Sequence, residues 1–323
     1  MPMCTSAPTP PQWRSCCAGT LSQSGFAPVP DVPSIVIPAH DEEHTLRRCL
    51  ATMTRGMKDG ELAIVVVANG CRDATAAVAR EFAPAVRVVE TEVASKIHAL
   101  NLGDQVSTGF PRFYVDADVL LPIESIRRVA QVLSEERYLA AAPRLRVALE
   151  GRPWPVRAYY EIWTRLPYFR EGGMIGSGVY AVSREGRSRF ERFPEIVSDD
   201  GYVRLQFSPE ERTTVQDCEF TIAPPKSLAG VIRIKTRSQR GANELLRVFP
   251  LLGDNERRDY PSVLGEVLKS PRMWPAFLVY CFVKLVTWGK AYWQYHSRRS
   301  VAWERDEESR LEALAQSELG RKR

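Results

Sequence analysis

From Pro33 onward, short apolar runs alternate with stretches of helical period. Ser34-Ile35-Val36-Ile37-Pro38 is too short for a helix and rich in β-branched residues, so it predicts a strand. Asp41-Glu42-Glu43 then opens a helical pattern with Leu46 and Leu50 on one face, its acids suited to the positive end of the helix dipole. A second strand is predicted over 62–67, Asn69-Gly70 turns the chain, and a helical stretch begins near Asp73. A third strand is predicted over 86–89, a helix over 96–106, a fourth strand over 113–115, a helix over 122–135 and a strand over 138–142. Continuous apolar strands alternating with longer helices predict βαβ units, an α/β fold whose mostly parallel sheet is covered by helices on both faces. The regularity runs from about 33 to 143. Ligand binding is expected in that part, because such sheets bind ligands beyond the carboxyl ends of their strands.

Composition changes this picture little. The chain has 323 residues, 44% hydrophobic and 26% charged, which supports a core and rules out wholesale disorder. The net charge of +5 comes without a dense Lys/Arg block, so no nucleic-acid partner is expected. The seven cysteines form no CxxC pair, and the four histidines add no zinc-ligand spacing. That is the cysteine usage of a reduced compartment. Residues 1–32 are rich in Pro, Ser, Thr and Ala and lack a charged start followed by an apolar run. They read as a disordered leader rather than a secretory signal, and the cytoplasm is the expected address.

The sharpest candidate chemistry is Phe113-Tyr114-Val115-Asp116-Ala117-Asp118. Two carboxylates at i and i+2 past an apolar strand can point to one side of the backbone at the sheet rim. Hard oxygen donors there suit Mg²⁺ or Mn²⁺ on a diphosphate. A bare D-x-D is more often a solvated acidic turn, so its neighbours decide its meaning. Pro38-Ala39-His40-Asp41-Glu42-Glu43 follows the first strand, and Ala68-Asn69-Gly70-Cys71-Arg72-Asp73-Ala74-Thr75 the second. Ser95-Lys96-Ile97-His98-Ala99-Leu100-Asn101-Leu102-Gly103 follows the third. Downstream stand Gly176-Ser177-Gly178-Val179, then Ser198-Asp199-Asp200 leading to Arg204-Leu205, then Thr236-Arg237-Ser238-Gln239-Arg240.

This succession resembles the family 2 glycosyltransferases of GT-A fold, over about residues 33–250. The resemblance implies an inverting sugar transfer from a nucleoside-diphosphate sugar, with UDP-sugar as the expected donor and a divalent metal, Mg²⁺ or Mn²⁺, as cofactor. It implies metal ligation by Asp116 and Asp118 and a catalytic base at Asp200. It also implies donor contacts from Pro38, His40, Glu42, Asn69, Asp73, Lys96 and Asp116, with Arg237 and Arg240 over the diphosphate. A nucleotide-sugar half is expected over 33–143 and an acceptor half over 144–255. Two motifs depart from the family pattern: Ala68-Asn69 replaces a pair of acids, and Gly241 stands where a Trp is common. A sugar nucleotidyltransferase would want a G-x-G-T-R-type loop where Pro38 to Glu43 offers acids. A non-catalytic nucleotide-sugar binder has the three aspartates against it. Gly176, Gly178 and Ala181 match a dinucleotide fingerprint, but too late in the chain and followed by a strand pattern. No P-loop sequence exists.

Residues 256–323 are expected to be helical. The stretch from Met273 to Trp293 has an uncharged run of only eleven residues before Lys284, against about twenty for a membrane span. As a helix it gathers Trp274, Leu278, Cys281, Leu285, Trp288 and Tyr292 on one side, with Arg272, Arg298 and Arg299 flanking. Such a helix suits a membrane interface, rather than a span, or packs on the catalytic domain or on another subunit. The former would make the protein peripheral to the inner membrane, with a glycan or lipid-linked acceptor of the cell envelope.

Overall fold

The computed structural model describes residues 32–166, 169, 173–174, 177–256, 267 and 269–296. The leader expected over 1–32 therefore lies outside the described residues but for its last, as do Gly176, Arg298, Arg299 and the charged tail from Glu304.

In chain order the elements are β1 (Ser34–Ala39), α1 (Glu43–Thr54), β2 (Ala63–Asn69), α2 (Thr75–Arg80), β3 (Val86–Thr91) and α3 (Lys96–Val106). Then come β4 (Arg112–Val115), α4 (Ile123–Ser134), β5 (Ala140–Val147), α5 (Trp154–Trp163), β6 (Val179–Val182), α6 (Arg184–Arg187) and α7 (Asp199–Leu205). β7 (Arg212–Ile222), α8 (Leu228–Val248), two short 3-10 turns and α9 (Trp274–His296) follow. The seven strands form one sheet in the order β3-β2-β1-β4-β6-β5-β7. Pairings are parallel except those of β6, which runs antiparallel to both β4 and β5. Residues 143 and 144 lie inside β5, at a register shift against β7.

Strand periodicity divides the core. Ile35 and Ile37 of β1 pack with Leu46 and Leu50 of α1 and Ile126 and Val129 of α4. Val36, on the opposite side, packs with Ile97 and Leu100 of α3. Helices thus cover both sheet faces, which is why the strands read as unbroken apolar runs. At the far end of α3, Asp104 accepts from Arg112 Nη1 (2.5 Å), Tyr114 Oη (2.6 Å) and Arg187 Nη2 (2.6 Å). These bonds tie α3 to β4 and α6, fixing the helix whose first residue is Lys96. The parallel strands β1 to β4 end on one edge, so the loops after them share one rim.

One local expectation is corrected. The first helix begins at Glu43, because Asp41 takes a left-handed φ of 49° and its carboxylate accepts the Arg72 N–H at 2.6 Å.

Candidate functional site

Lys96 organises the rim. Ser95 caps α3, its Oγ accepting the His98 N–H at 3.2 Å, and this starts the helix at Lys96. The Lys96 ammonium lies 2.8 Å from Asp116 Oδ1 and 3.1 Å from Asp199 Oδ1. It therefore joins the acids after β4 to those opening α7, some eighty residues apart in sequence. Asn101, one turn and a half further along α3, clamps the approach to α7: its side chain donates to the Phe193 carbonyl (3.0 Å) and accepts the Phe193 N–H (2.9 Å). The Asp116 N–H donates to the Gly178 carbonyl at 2.8 Å. Gly178 has φ 101°, and a Cβ there would stand 2.7 Å from Val119 Cγ2 and 3.5 Å from Asp116 Oδ2. Only glycine serves at that position.

The electrostatics of the acids differ. Burial works against the Lys96 charge, but Asp116 and Asp199 outweigh it and hold the ammonium above its usual range. Asp199 is buried, paired to Lys96, and accepts from Tyr180 Oη at 3.4 Å. Asp200 is pushed up to about 6, by desolvation first and then by the Asp199 charge, against the pull of Lys96. Its hydrogen bonds from the Gly201 N–H (2.7 Å) and the Ser198 hydroxyl (3.3 Å) both fall on Oδ1. Asp118 opens to solvent on one side, yet the surrounding protein, then Asp116, then Glu42 push its carboxyl up to about 7. Asp116 and Asp118 offer carboxylate oxygens at the end of β4, the hard donors that a divalent cation takes.

A second group presents different chemistry. Among the described residues, the one cluster of three His, Cys, Asp or Glu side chains with ligand atoms within 4.8 Å is His40, Asp41 and Cys71. His40 Nδ1 is engaged with the Asn69 carbonyl, and the Cys71 thiol donates to the Ala39 carbonyl at 3.3 Å. Burial raises the thiol further, so it stays protonated and is a poor metal ligand. These contacts lock the β1 and β2 loops together.

Other residues marked out in the sequence fall as follows. Pro38 is buried within β1, opposite Val67. Asn69 is only 2% exposed, its Oδ1 without a hydrogen-bond partner among the described residues. Asp73 accepts from the Glu43 N–H (3.2 Å) and the Thr75 N–H (3.0 Å), and the Glu42 N–H donates to Thr75 Oγ1 (2.7 Å). Asp73 thus fixes the loop that presents Glu42. A cavity of about 310 Å³ opens between these loops, lined by residues from Asp41 to Thr45 with Arg72 and Asp73. Arg237 and Arg240 stand half-buried within α8. Next to them Gly241 lets the helix approach Ser198: a Cβ there would lie 3.2 Å from the Ser198 backbone nitrogen. A Trp at 241 would push α8 off the start of α7, a physical reason for the departure from the family pattern.

The sequence reading missed Lys235. Its Nζ sits 3.5 Å from the Trp163 ring centroid, with Tyr160 at 5.8 Å and Tyr159 at 6.0 Å. No motif announces it, since the contact joins α5 to α8 across some seventy residues.

Residues 34–192 match Glycosyl transferase family 2. No curated protein matches the sequence. Among solved structures, the mannosyltransferase PcManGT from Pyrobaculum calidifontis, in complex with GDP-Man and Mn²⁺, is similar with a TM-score of 0.57 at 20% identity, over 91% of this chain and 80% of that one. S. aureus TarS 1–349 in complex with UDP gives 0.48 at 14% identity, over 66% and 65% of the two chains. The same protein in complex with UDP-GlcNAc gives 0.48 at 14%, over 64% and 66%. The likeness to PcManGT shows a GT-A fold, here a mostly parallel sheet with C-terminal helices added. α9 is one of these. Trp274, Leu278, Leu285, Trp288 and Tyr292 are exposed along the helix, while Ala276, Val283, Thr287 and Ala291 are buried. Among the described residues no helix is long and apolar enough to cross a membrane.

Proposed function

We propose that the protein is an inverting, metal-dependent glycosyltransferase that moves a sugar from a nucleoside-diphosphate sugar, with uridine as the expected base, to an acceptor hydroxyl. The observation that carries the reading is the Lys96 bridge, which gathers Asp116 and Asp199 in one cleft with Asp118 and Asp200 beside them. The fold likeness to an enzyme solved with GDP-Man and Mn²⁺ supports the donor class and the cofactor. Asp116 and Asp118 would hold Mg²⁺ or Mn²⁺, which would neutralise charge developing on the departing diphosphate.

The protein's own groups do the rest. Asp199 is committed to Lys96, and the hydrogen bonds that Asp200 accepts from Ser198 and Gly201 fall on Oδ1, so Asp200 is the base that takes the acceptor proton, through Oδ2. A carboxyl near 6 is ionised at neutral pH and basic enough to accept it. The acceptor oxygen bonds to the anomeric carbon as the bond from that carbon to the diphosphate oxygen breaks. One displacement inverts the centre. Pro38, His40, Glu42, Asn69 and Asp73 frame the donor, and Arg237 and Arg240 approach its diphosphate from α8. The catalytic unit is 33–255, between a leader and a C-terminal segment, 256–323. The exposed aromatic face of α9 supports a peripheral position at the cytoplasmic face of the inner membrane, with a glycan or lipid-linked acceptor.

The test is turnover. α-Configured UDP- and GDP-sugars are incubated with the full chain and Mn²⁺, and the sugar passed to water or to a hydroxylic acceptor is followed by proton NMR. First-formed β-anomer is expected. Retained α-configuration, or no turnover of any sugar nucleotide by folded protein, would overturn the assignment.

A further inference from the structure

α9 carries two stripes. Ala276, Val283, Thr287 and Ala291 are buried on one side, where Ala276 and Val283 join the apolar cluster of α5 and α8. On the other side run Trp274, Leu278, Cys281, Leu285, Trp288 and Tyr292, at spacings of four, three, four, three and four. The large residues of this second stripe are exposed, from 51% at Trp274 to 70% at Leu285. Alternation of four and three is the pattern of a seam between two paired helices. No residue of the stripe is charged, nor are Pro275, Phe282 and Gly289 beside it. The stripe is also ordered in advance. The Trp274 indole N–H donates to the Val267 carbonyl at 3.2 Å, and the rings of Trp288 and Tyr292 stack with centroids 5.9 Å apart. Little side-chain freedom is left to lose when something covers them.

A helix lying in a lipid surface turns a Lys- and Arg-rich side to water, opposite its apolar side. In α9 the opposite side is given to the domain. The exposed stripe is, moreover, symmetric about Val283. Two antiparallel copies related by a two-fold axis there would set Trp274 against Tyr292 of the second copy, Leu278 against Trp288, and Cys281 against Leu285. The last two pairs match a larger side chain to a smaller one, and every contact occurs twice, as a two-fold interface requires. With Phe282 close to the axis, the stripe offers on the order of 800 Å² per copy, the share that a stable interface takes from each partner. We propose that α9 is a dimerisation helix, whose stripe from Trp274 to Tyr292 pairs antiparallel with the same stripe of a second copy. Pairing would brace α8 from behind, the helix that abuts Ser198 at Gly241. This inference goes beyond the transferase reading and does not depend on it. Trp293, 60% exposed and one position outside the stripe, remains for the peripheral contact.

Analytical ultracentrifugation of the full chain at micromolar concentration, without lipid, tests it. Wild type should sediment as a dimer. Leu285→Lys should weaken the dimer at least tenfold, and Lys290→Ala, outside the stripe, should leave it unchanged. Both side chains are exposed, so neither change threatens the fold. Leu285→Cys should, on mild oxidation, give a disulfide-linked dimer on a non-reducing gel, joined from Cys281 of one copy to position 285 of the other. Mass spectrometry of the linked peptides reads that connection. Oxidised wild type joined from Cys281 to Cys281 would show parallel helices and overturn the antiparallel arrangement. A monomer, an assembly of another order, or a dimer that Leu285→Lys leaves intact would overturn the proposal. A monomer that floats with phosphatidylglycerol vesicles, and no longer does so with Leu285→Lys, would give the stripe to a lipid surface instead. None of these results touches the transferase reading, which nucleotide binding tests separately.

Discussion

The Lys96 ammonium stands 2.8 Å from Asp116 Oδ1, and the same group reaches Asp199 at 3.1 Å. One cation therefore spans the two acidic segments. Lys96→Met would leave Asp199, only 4% exposed, without its counter-charge. Removing one partner of a buried pair costs about 3 kcal/mol. Urea denaturation should register a loss of that order, and millimolar Mn²⁺ should recover part of it through Asp116. Unchanged stability would show that the bridge contributes nothing.

Activity should depend on pH through Asp200. Its carboxyl is raised to about 6 by burial and by Asp199, and the base must be ionised to act. The rate at saturating substrate should rise as pH passes through about 6 and then level. Asp200→Asn should lower it by about 10²–10⁴-fold at every pH while leaving nucleotide affinity intact. A rate that falls with rising pH across this range would contradict the role.

Gly178→Ala puts a methyl 2.7 Å from Val119 in a left-handed backbone. The Gly178 carbonyl holds the Asp116 N–H, so relief of the clash must move the D-x-D segment. Weaker binding of Mn²⁺-nucleotide is expected, with a cost of about 1–3 kcal/mol to stability. Calorimetry and thermal melts check both.

Asp104 governs stability rather than chemistry. Arg187, Tyr114 and Arg112 hold its carboxyl below the usual range, against the opposing effect of burial. With a lowered folded-state pKa, its contribution is present above the ordinary value of 3.8 and is lost as pH falls through the folded one. Asp104→Ala should destabilise by about 3–5 kcal/mol at pH 7, measured by urea melts. The gap to wild type should narrow in strong acid.

Much of this architecture was legible in the chain. Four short runs rich in β-branched or aromatic residues mark the parallel strands β1 to β4, and the Ser95 cap before Lys96 marks the start of α3 to the residue. The D-x-D falls where β4 ends and Ser198-Asp199-Asp200 opens α7, and both acidic segments were readable as candidates. Pairing was not. β6 is four residues long, and nothing in Val179-Tyr180-Ala181-Val182 tells that it inserts antiparallel between β4 and β5. The left-handed Asp41 escaped for a similar reason: its conformation answers to Arg72, on another loop. Lys235 reads as one more basic residue on a helix until Trp163 is brought to it from α5.

The central claim is that a nucleoside diphosphate binds this cleft through a cation on Asp116 and Asp118. Calorimetry of UDP, GDP, ADP and CDP with and without Mn²⁺, on wild type and Asp118→Ala, tests it most directly. The account predicts Mn²⁺-dependent binding of one nucleotide, weakened at least tenfold by the substitution. Binding indifferent to both Mn²⁺ and Asp118, or none at all by folded protein, would contradict it.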